Sequence, residues 1–307
     1  MQYTQLPDPT PGHGEVVVRV GAAGVNFIDT YQRGGMYQIP LPAVLGAEGA
    51  GSIVAVGDGV SAVGIGDRVS WCDAPGSYAE LVTVRADRLI PVPDEVDDAT
   101  AASVLLQGMT AHYLLDGSAH PSAGQTILIH AGAGGVGLIL TQLAKARGLT
   151  VITTVSSEEK AELSLAAGAD YVLRYGADLP EKVRALTNEI GVDVAYDGVG
   201  KDTFELSLAS TRVRGMVVLF GAASGPVPPF DLQRLNPAGS LTVTRPTLAH
   251  FIADRGEFRW RAGDIMSAVA SGEVSLTIGA RYRLADAGAA HTDLQARRTT
   301  GSVVLIP

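Results

Sequence analysis

The sequence predicts a mixed α/β protein in two parts, a doubly wound parallel sheet inserted into a β-rich domain built from both ends of the chain. Three observations carry this. Between Thr126 and Thr244, short apolar strands alternate regularly with helical segments, the pattern of βαβ units whose parallel sheet is covered on both faces. Before Pro93 the chain is instead a series of β-branched runs punctuated by Gly and Pro. A glycine-rich turn, His130-Ala131-Gly132-Ala133-Gly134-Gly135-Val136-Gly137, joins a strand to a helix at the start of the alternating block.

In the first third, Glu15–Val20, Ser52–Val56 and Tyr78–Val84 read as strands, and Val63–Val69 as a turn followed by a strand. The irregular spacing suits a partly closed barrel. Asp97 to Leu115 is rich in Ala and Leu at helical spacing. Strands follow at Thr126–Ile129, Val151–Val155, Tyr171–Leu173, Val192–Tyr196, Val217–Phe220 and Leu241–Thr244, with helices at Val136–Ala146, Glu158–Ala167 and around Glu181–Thr187. The tail is mixed: helix after Thr247, a strand near Tyr282, a helix from Asp286 and a last strand at Val303–Leu305. At 307 residues the chain suits two domains rather than one core. The boundaries read as 1–109 with 246–307 for the β-rich domain and 110–245 for the inserted one.

Composition narrows the function classes. A net charge of −9 without any basic cluster argues against nucleic acid or an anionic membrane as a partner. The start, Met1-Gln2-Tyr3-Thr4, has neither the basic nor the apolar region of a secretory leader. The longest charge-free stretch, Gly117–Ala144, is broken by Pro121 and glycines and does not read as a membrane span. The single cysteine, Cys72, forms no internal disulfide and fits a reducing compartment. The expectation is a soluble, cytoplasmic enzyme acting on a small molecule.

Gly132-x-Gly134-x-x-Gly137 has the dinucleotide spacing, and its context of strand, turn, helix and second strand gives it weight. Such a turn brings backbone close to a pyrophosphate whose charge rests at a helix N-terminus. The end of the second strand chooses the cofactor. NAD sites place an acid there for the ribose hydroxyls, whereas this strand ends Thr154-Val155-Ser156-Ser157, with Lys160 one turn on and Arg174 and Tyr175 ending the next strand. That neutral end suits a 2′-phosphate, so NADPH is expected. Ser156 and Glu159 have capping-box spacing, and Lys160 also reads as a solvated helix lysine.

What is missing also informs. The six histidines are scattered, no Cys-x-x-Cys exists, and no Gly-x-Ser-x-Gly elbow appears, so neither zinc ligation nor a serine nucleophile is expected.

Gly24-Val25-Asn26-Phe27-Ile28-Asp29-Thr30-Tyr31, Leu45-Gly46-Ala47-Glu48-Gly49-Ala50-Gly51, the glycine turn, Tyr196-Asp197-Gly198-Val199-Gly200, Thr244-Arg245-Pro246 and the closing Gly301-Ser302-Val303-Val304-Leu305-Ile306-Pro307 together resemble the zinc-independent, zeta-crystallin-like quinone oxidoreductases of the medium-chain dehydrogenase/reductase superfamily. The resemblance runs nearly end to end. It implies a Rossmann-type sheet inserted into a GroES-like catalytic domain, with NADPH in the cleft between them. In zinc-dependent relatives a cysteine ligand stands near the position of Asn26 and a histidine near Ala47, so no metal is implied here.

Carried over by position, Gly134, Gly135 and Val136 meet the pyrophosphate. Ser156, Lys160 and Tyr175 surround the adenosine phosphate, and Phe220 and Gly221 lie after the fifth strand. Asn26, Tyr31 and Thr110 lie near the nicotinamide, backbone at Val243 and Thr244 holds its carboxamide, and Arg297 lies close to the cofactor. Several have plainer readings: Phe220 as core, Tyr31 as a buried tyrosine, Arg297 as a helix-end charge. Two departures stand out. Relatives carry a further strand and a Gly-Gly-Pro-Glu-like turn before the position of Met1, and Gly221–Gly225 has Ala where polar side chains are common.

The implied activity is reduction of a quinone by NADPH, with Asn26 and Tyr31 as the catalytic pair. A quinone accepts reducing equivalents readily and needs orientation rather than a metal or strong acid. Two other readings stay open: an NADPH-dependent enone or enoyl-thioester reductase, in which Tyr31 is a required acid, and a non-catalytic NADPH-binding protein. The last strand of the sheet, Leu241–Thr244, is an edge that a second copy could cover, so a homodimer is expected.

Overall fold

Valines at 16, 18 and 20 and again at 25 bury one face of an eleven-residue strand, β1 (Glu15–Val25), around which the β-rich part of the protein is organised. The computed structural model describes all residues, Met1–Pro307, and resolves into two units, Met1–Met109 with Ala253–Pro307, and Thr110–Ile252. In chain order the first unit continues with α1 (Phe27–Arg33), β2 (Glu48–Val56), β3 (Arg68–Cys72), β4 (Leu81–Arg85), β5 (Leu89–Pro91) and α2 (Asp98–Tyr113), the last crossing into the second unit.

The second unit holds β6 (Thr126–Ile129), α3 (Gly135–Ala146), β7 (Thr150–Val155), α4 (Glu158–Ala166), β8 (Tyr171–Arg174), α5 (Leu179–Leu186), β9 (Val192–Asp197), α6 (Phe204–Ser210), β10 (Thr211–Leu219), β11 (Thr242–Thr244) and α7 (Leu248–Phe251). The chain then returns to the first unit with α8 (Arg255–Ala270), β12 (Ile278–Arg283), α9 (Ala287–Gln295) and β13 (Ser302–Ile306).

The first unit's sheet runs β12-β13-β1-β2-β3-β5, with β4 also paired to β1. All pairs are antiparallel except β12 with β13. Register shifts between Val17 and Val18 and between Val20 and Ala22 bend β1, as bulges do in curled sheets. Its core gathers Val18, Val20, Val25, Ile53, Trp71 and Leu305. Burying a Val, Ile or Leu side chain is worth about 1.5–3 kcal/mol each, which fixes which face of β1 turns inward.

The second unit's six strands are parallel in the order β11-β10-β9-β6-β7-β8. Sequence order reverses between β6 and its two neighbours, β7 and β9, the switch point where ligands sit beyond the carboxyl ends of a doubly wound sheet. Leu128, Ile152, Ala195 and Val217 form its apolar centre.

The structure adds elements and moves boundaries. α1, β5 and α6 are not among the sequence-predicted elements; each is short, and β5 ends in Pro91. α2 ends in a π-helical turn, Leu114–Ala119, closed by His120 in the left-handed region. The second unit ends at Ile252 rather than Arg245, because Phe251 stacks on Tyr113 at 4.4 Å and Ile252 is buried. The N-cap of α4 is Ser157, whose hydroxyl accepts from the Lys160 N–H, not Ser156.

Candidate active site

The glycine turn follows β6. Ala131 adopts φ 55°, the Gly132 N–H donates to the Thr154 carbonyl at 3.0 Å, and Gly134 caps α3. A Cβ on Gly132 would stand 2.5 Å from the Thr153 side chain, and one on Gly137 2.4 Å from the Ala131 carbonyl. Those two glycines are thus demanded by packing within the unit. Gly134 is different: its only near neighbour would be the Ala131 carbonyl at 3.3 Å. Internal packing makes a much weaker demand for a bare backbone there. The turn lies at the N-terminus of a twelve-residue helix with no acid in its first turn, where free N–H groups and the helix dipole attract an anion. Gly134, Gly135 and Val136 stand at this helix N-terminus.

Beside it, the Tyr175 hydroxyl accepts from the Ala131 N–H at 2.9 Å, tying the end of β8 to the turn. Arg174 donates to the Ser156 carbonyl, and Ser156 is itself exposed. Ser156, Arg174 and Tyr175 thus meet at the carboxyl ends of adjacent strands, and Lys160 lies in the first turn of α4. Arg174 is absent from the residues carried over by position; its closeness to Ser156 comes from the β7–β8 pairing and has no signature in local sequence.

Beneath the turn lies a buried chain of polar groups. Asp197 accepts from the Val199 and Gly200 N–H groups, from Thr203 and from Ser207. Because the Ser207 hydroxyl donates to Asp197, its oxygen accepts from His130 Nε2 at 3.0 Å, leaving Nδ1 to accept from Thr154 at 2.8 Å. Burial holds the His130 pKa down against the raising effect of Asp197, in keeping with a neutral ring of fixed tautomer. Phe220 and Gly221 follow β10; a Cβ on Gly221 would overlap the Gly198 carbonyl at 2.4 Å, so this glycine is required by the close approach of two loops. Thr110 is buried, and Val243 and Thr244 are half-buried on β11.

In the β-rich unit, Asn26 caps α1 and is only 6% exposed. Its Nδ2 donates to Glu48 Oε1 at 2.6 Å, and its Oδ1 accepts from Gln107 Nε2 at 3.1 Å. Glu48 Oε2 accepts from the Leu106 N–H at 2.9 Å, and Ser302 donates to Gln107 Oε1 at 2.7 Å. The Asn26 N–H donates to Asp29, which also accepts from Tyr78, whose hydroxyl lies 3.0 Å from His291 Nε2. Burial pushes Asp29 up to about 7 and Glu48 up to about 8, in both cases over hydrogen bonds that pull downward. Burial likewise holds His291 down at about 4. Asp29 Oδ1 and His291 Nδ1 find no partner.

Tyr31 lies one turn along α1, packed between Phe27 and Tyr37. A cavity of about 490 Å³ in the same unit is lined by Gln32, Ile39, Pro40, Val44, Ala47 and Asp73 among others. Arg297 follows α9, exposed and at φ 57°. Glu48, Gln107 and Ser302 are not among the expected site residues. The available signal was an acid set among Gly and Ala in a strand, where no solvated role is evident.

Residues 12–94 match the alcohol dehydrogenase GroES-like domain family, and residues 135–266 the zinc-binding dehydrogenase family. The chain is 44% identical to a quinone oxidoreductase of Pseudomonas aeruginosa, over 100% of this chain and 95% of that one. The chain belongs to the quinone oxidoreductase family. This family lies within the medium-chain dehydrogenase/reductase superfamily, and the fold agrees: the crystal structure of the Escherichia coli quinone oxidoreductase complexed with NADPH superposes with a TM-score of 0.97 at 40% identity, covering 100% of this chain and 95% of that one. A 2-haloacrylate reductase of Burkholderia is 41% identical over 97% of this chain and 92% of its own.

For a member matching a zinc-binding description, the donor set is decisive. No group of three His, Cys, Asp or Glu side chains is placed to hold a metal ion. Asn26 has its amide engaged by Glu48 and Gln107, and Ala47 offers no donor. The residues present do not fit a zinc site. No helix is long and apolar enough to cross a membrane.

Proposed function

We propose that the protein is an NADPH-dependent reductase of small quinones. The observation that carries this is the glycine turn at the N-terminus of α3, whose first turn holds no acid, beside strand ends that have Ser156 and Arg174 in place of a ribose-binding acid. When bound, NADPH supplies the reducing equivalents. The chain's own part is placement. Backbone N–H groups of Gly135 and Val136 hold the pyrophosphate, Ser156, Lys160, Arg174 and Tyr175 enclose the 2′-phosphate, and Phe220 and Gly221 border the site. Val243 and Thr244 backbone orients the carboxamide, and Thr110 and Arg297 lie along the cofactor.

Asn26 and Tyr31 position the acceptor, with the Asn26 amide stabilising charge that develops on a quinone oxygen. A quinone needs no carbon protonated, so a site with few ionised groups suffices. The apolar lining of the cavity at Ile39, Pro40 and Val44 suits a flat ring.

The likeness to a 2-haloacrylate reductase supports a second reading, reduction of an activated carbon–carbon double bond. There a carbon must be protonated, and Tyr31 is the candidate acid. A homodimer through β11 belongs to the same proposal: this edge strand pairs only with β10, and Val213 and Leu232 are exposed in the same unit. Sedimentation at micromolar concentration should show a dimer. A buried, lone Cys72 supports a cytoplasmic setting.

The test is an NADPH-oxidation assay over a panel of small quinones and enones, with NADH in parallel and with and without chelator. Turnover of quinones that prefers NADPH and ignores chelator is expected. No NADPH oxidation with any quinone overturns the reading, and turnover of enones alone selects the second.

A further inference from the structure

A buried relay of reversible hydrogen bonds runs Glu48, Asn26, Gln107, Ser302. Its seat is tightly built: a Cβ on Gly24 would stand 2.5 Å from both Glu48 Oε1 and the Ala102 carbonyl. Two members are amides, whose O and N ends exchange by a half-turn, and Ser302 is a hydroxyl that donates or accepts by rotating. The far end therefore imposes no direction. The near end does. The Leu106 N–H can only donate, so Glu48 Oε2 must accept in every state. Any proton carried by Glu48 resides on Oε1, facing Asn26.

With Oε1 bare, it accepts from Asn26 Nδ2 and the chain has the observed polarity. With Oε1 protonated it donates, Asn26 presents Oδ1 to Glu48 and Nδ2 to Gln107, and Gln107 reverses in turn. We propose that Glu48 is a positioning residue that sets the hydrogen-bond polarity of Asn26, and so decides whether Asn26 offers the acceptor a donor N–H or a lone pair. This rests on the reading that Asn26 meets the quinone. A donor stabilises the charge developing on a quinone oxygen, whereas a lone pair opposes it.

No cation acts on Glu48 directly, while Arg33 and Arg88 act on its neighbours Tyr78 and Cys72. The ionisable groups facing Glu48 are Asp29 from α1, Cys72 opposite it on β3, and Tyr78 from the loop before β4. Burial and the Asp29 charge both disfavour ionised Glu48, while the bonds from Asn26 and Leu106 favour it.

Glu48→Gln tests the proposal, because its carbonyl must face the Leu106 N–H and its Nε2 can then only donate to Asn26. The variant is locked in the reversed polarity. Wild-type kcat/KM for a small quinone is expected to rise about tenfold or more through one ionisation as pH increases. Glu48→Gln is expected to stay flat at the low-pH level, with a cooperative melt showing that it is folded. A folded Glu48→Gln with the wild-type pH profile overturns the proposal. Should the variant fail to fold, the side-chain amide signals of Asn26 and Gln107 in the wild-type protein serve instead. They are expected to move together with one pH midpoint; independent or absent movement overturns the relay. If the amides move together while no quinone is reduced, the functional reading falls and the relay stands.

Discussion

The glycine turn after β6 and the Asn26–Glu48 network after β1 both enter the proposed function, one in each unit, yet they are built on opposite principles. The turn works through backbone. Its groups lie within eight consecutive residues, and a Cβ is barred at Gly132 by Thr153 and at Gly137 by the Ala131 carbonyl, whereas Gly134 meets no such clash. The network works through side chains on β2, at the N-cap of α1, on α2 and on β13, each of which makes sense only once the others are in place. A backbone site tolerates changes beside it and fails when a Cβ intrudes. A buried side-chain network fails when any one member loses its partner.

The sharpest way to break the comparison is within the turn itself. Gly137→Ala puts a Cβ 2.4 Å from the Ala131 carbonyl and is expected to cost about 3 kcal/mol or more, read as a loss of folded protein or a large fall in Tm. Gly134→Ala, with its nearest contact at 3.3 Å, is expected to melt close to wild type while NADPH Kd rises about tenfold or more. Equal stability losses in the two variants would remove the claim that Gly134 is kept open for a ligand.

Next in size is Asn26→Leu. It strips partners from Glu48 and Gln107 together, and each buried polar group left unpaired costs about 1–3 kcal/mol. A denaturant melt should show that loss alongside a collapse of quinone kcat/KM. A melt unchanged from wild type would mean that the network bears no stability.

Stability against pH sharpens the contrast further. Folding raises Glu48 from its ordinary 4.5 to about 8 and Asp29 from 3.8 to about 7. The unfolded chain ionises first, so it binds fewer protons than the folded one across this interval, and raising pH through it weakens the fold. The contribution is full below pH about 4 and has gone above pH about 8. Glu48→Gln removes one of the two groups, so its Tm measured against wild type is expected to climb from pH 5 to pH 8. A constant difference would show that Glu48 is not held neutral.

The smallest effects are at the site's periphery. Arg174→Ala is expected to raise KM for NADPH by about three- to tenfold and leave NADH unchanged, as loss of one charge-assisted phosphate contact should. Tyr31→Phe is expected to leave quinone reduction within about twofold; a selective loss on enones would favour the carbon-protonating reading.

Much of this could be read along the chain. Strands β6, β7 and β9 and helices α3 and α4 fall where apolar period and turn residues put them, since each is a local pattern of side-chain burial. The neutral end of β7 was equally visible. The cap of α4 lies one residue beyond the capping-box spacing of Ser156, because Ser156 and Ser157 are chemically alike and only backbone geometry decides which caps. The short α1, β5 and α6 carry too few turns to establish a period.

By itself, the sequence determined the alternation of strands and helices, the glycine turn and the choice of a phosphate-tolerant strand end, because each is encoded within a few neighbouring residues. Only the tertiary structure decided that Glu48, Gln107 and Ser302 close around Asn26, that Arg174 reaches Ser156, and that Gly134 alone of its motif meets no hard clash. Those facts depend on burial and on donor–acceptor pairing between distant segments, and a carboxyl group takes its charge from the surroundings that the fold assembles.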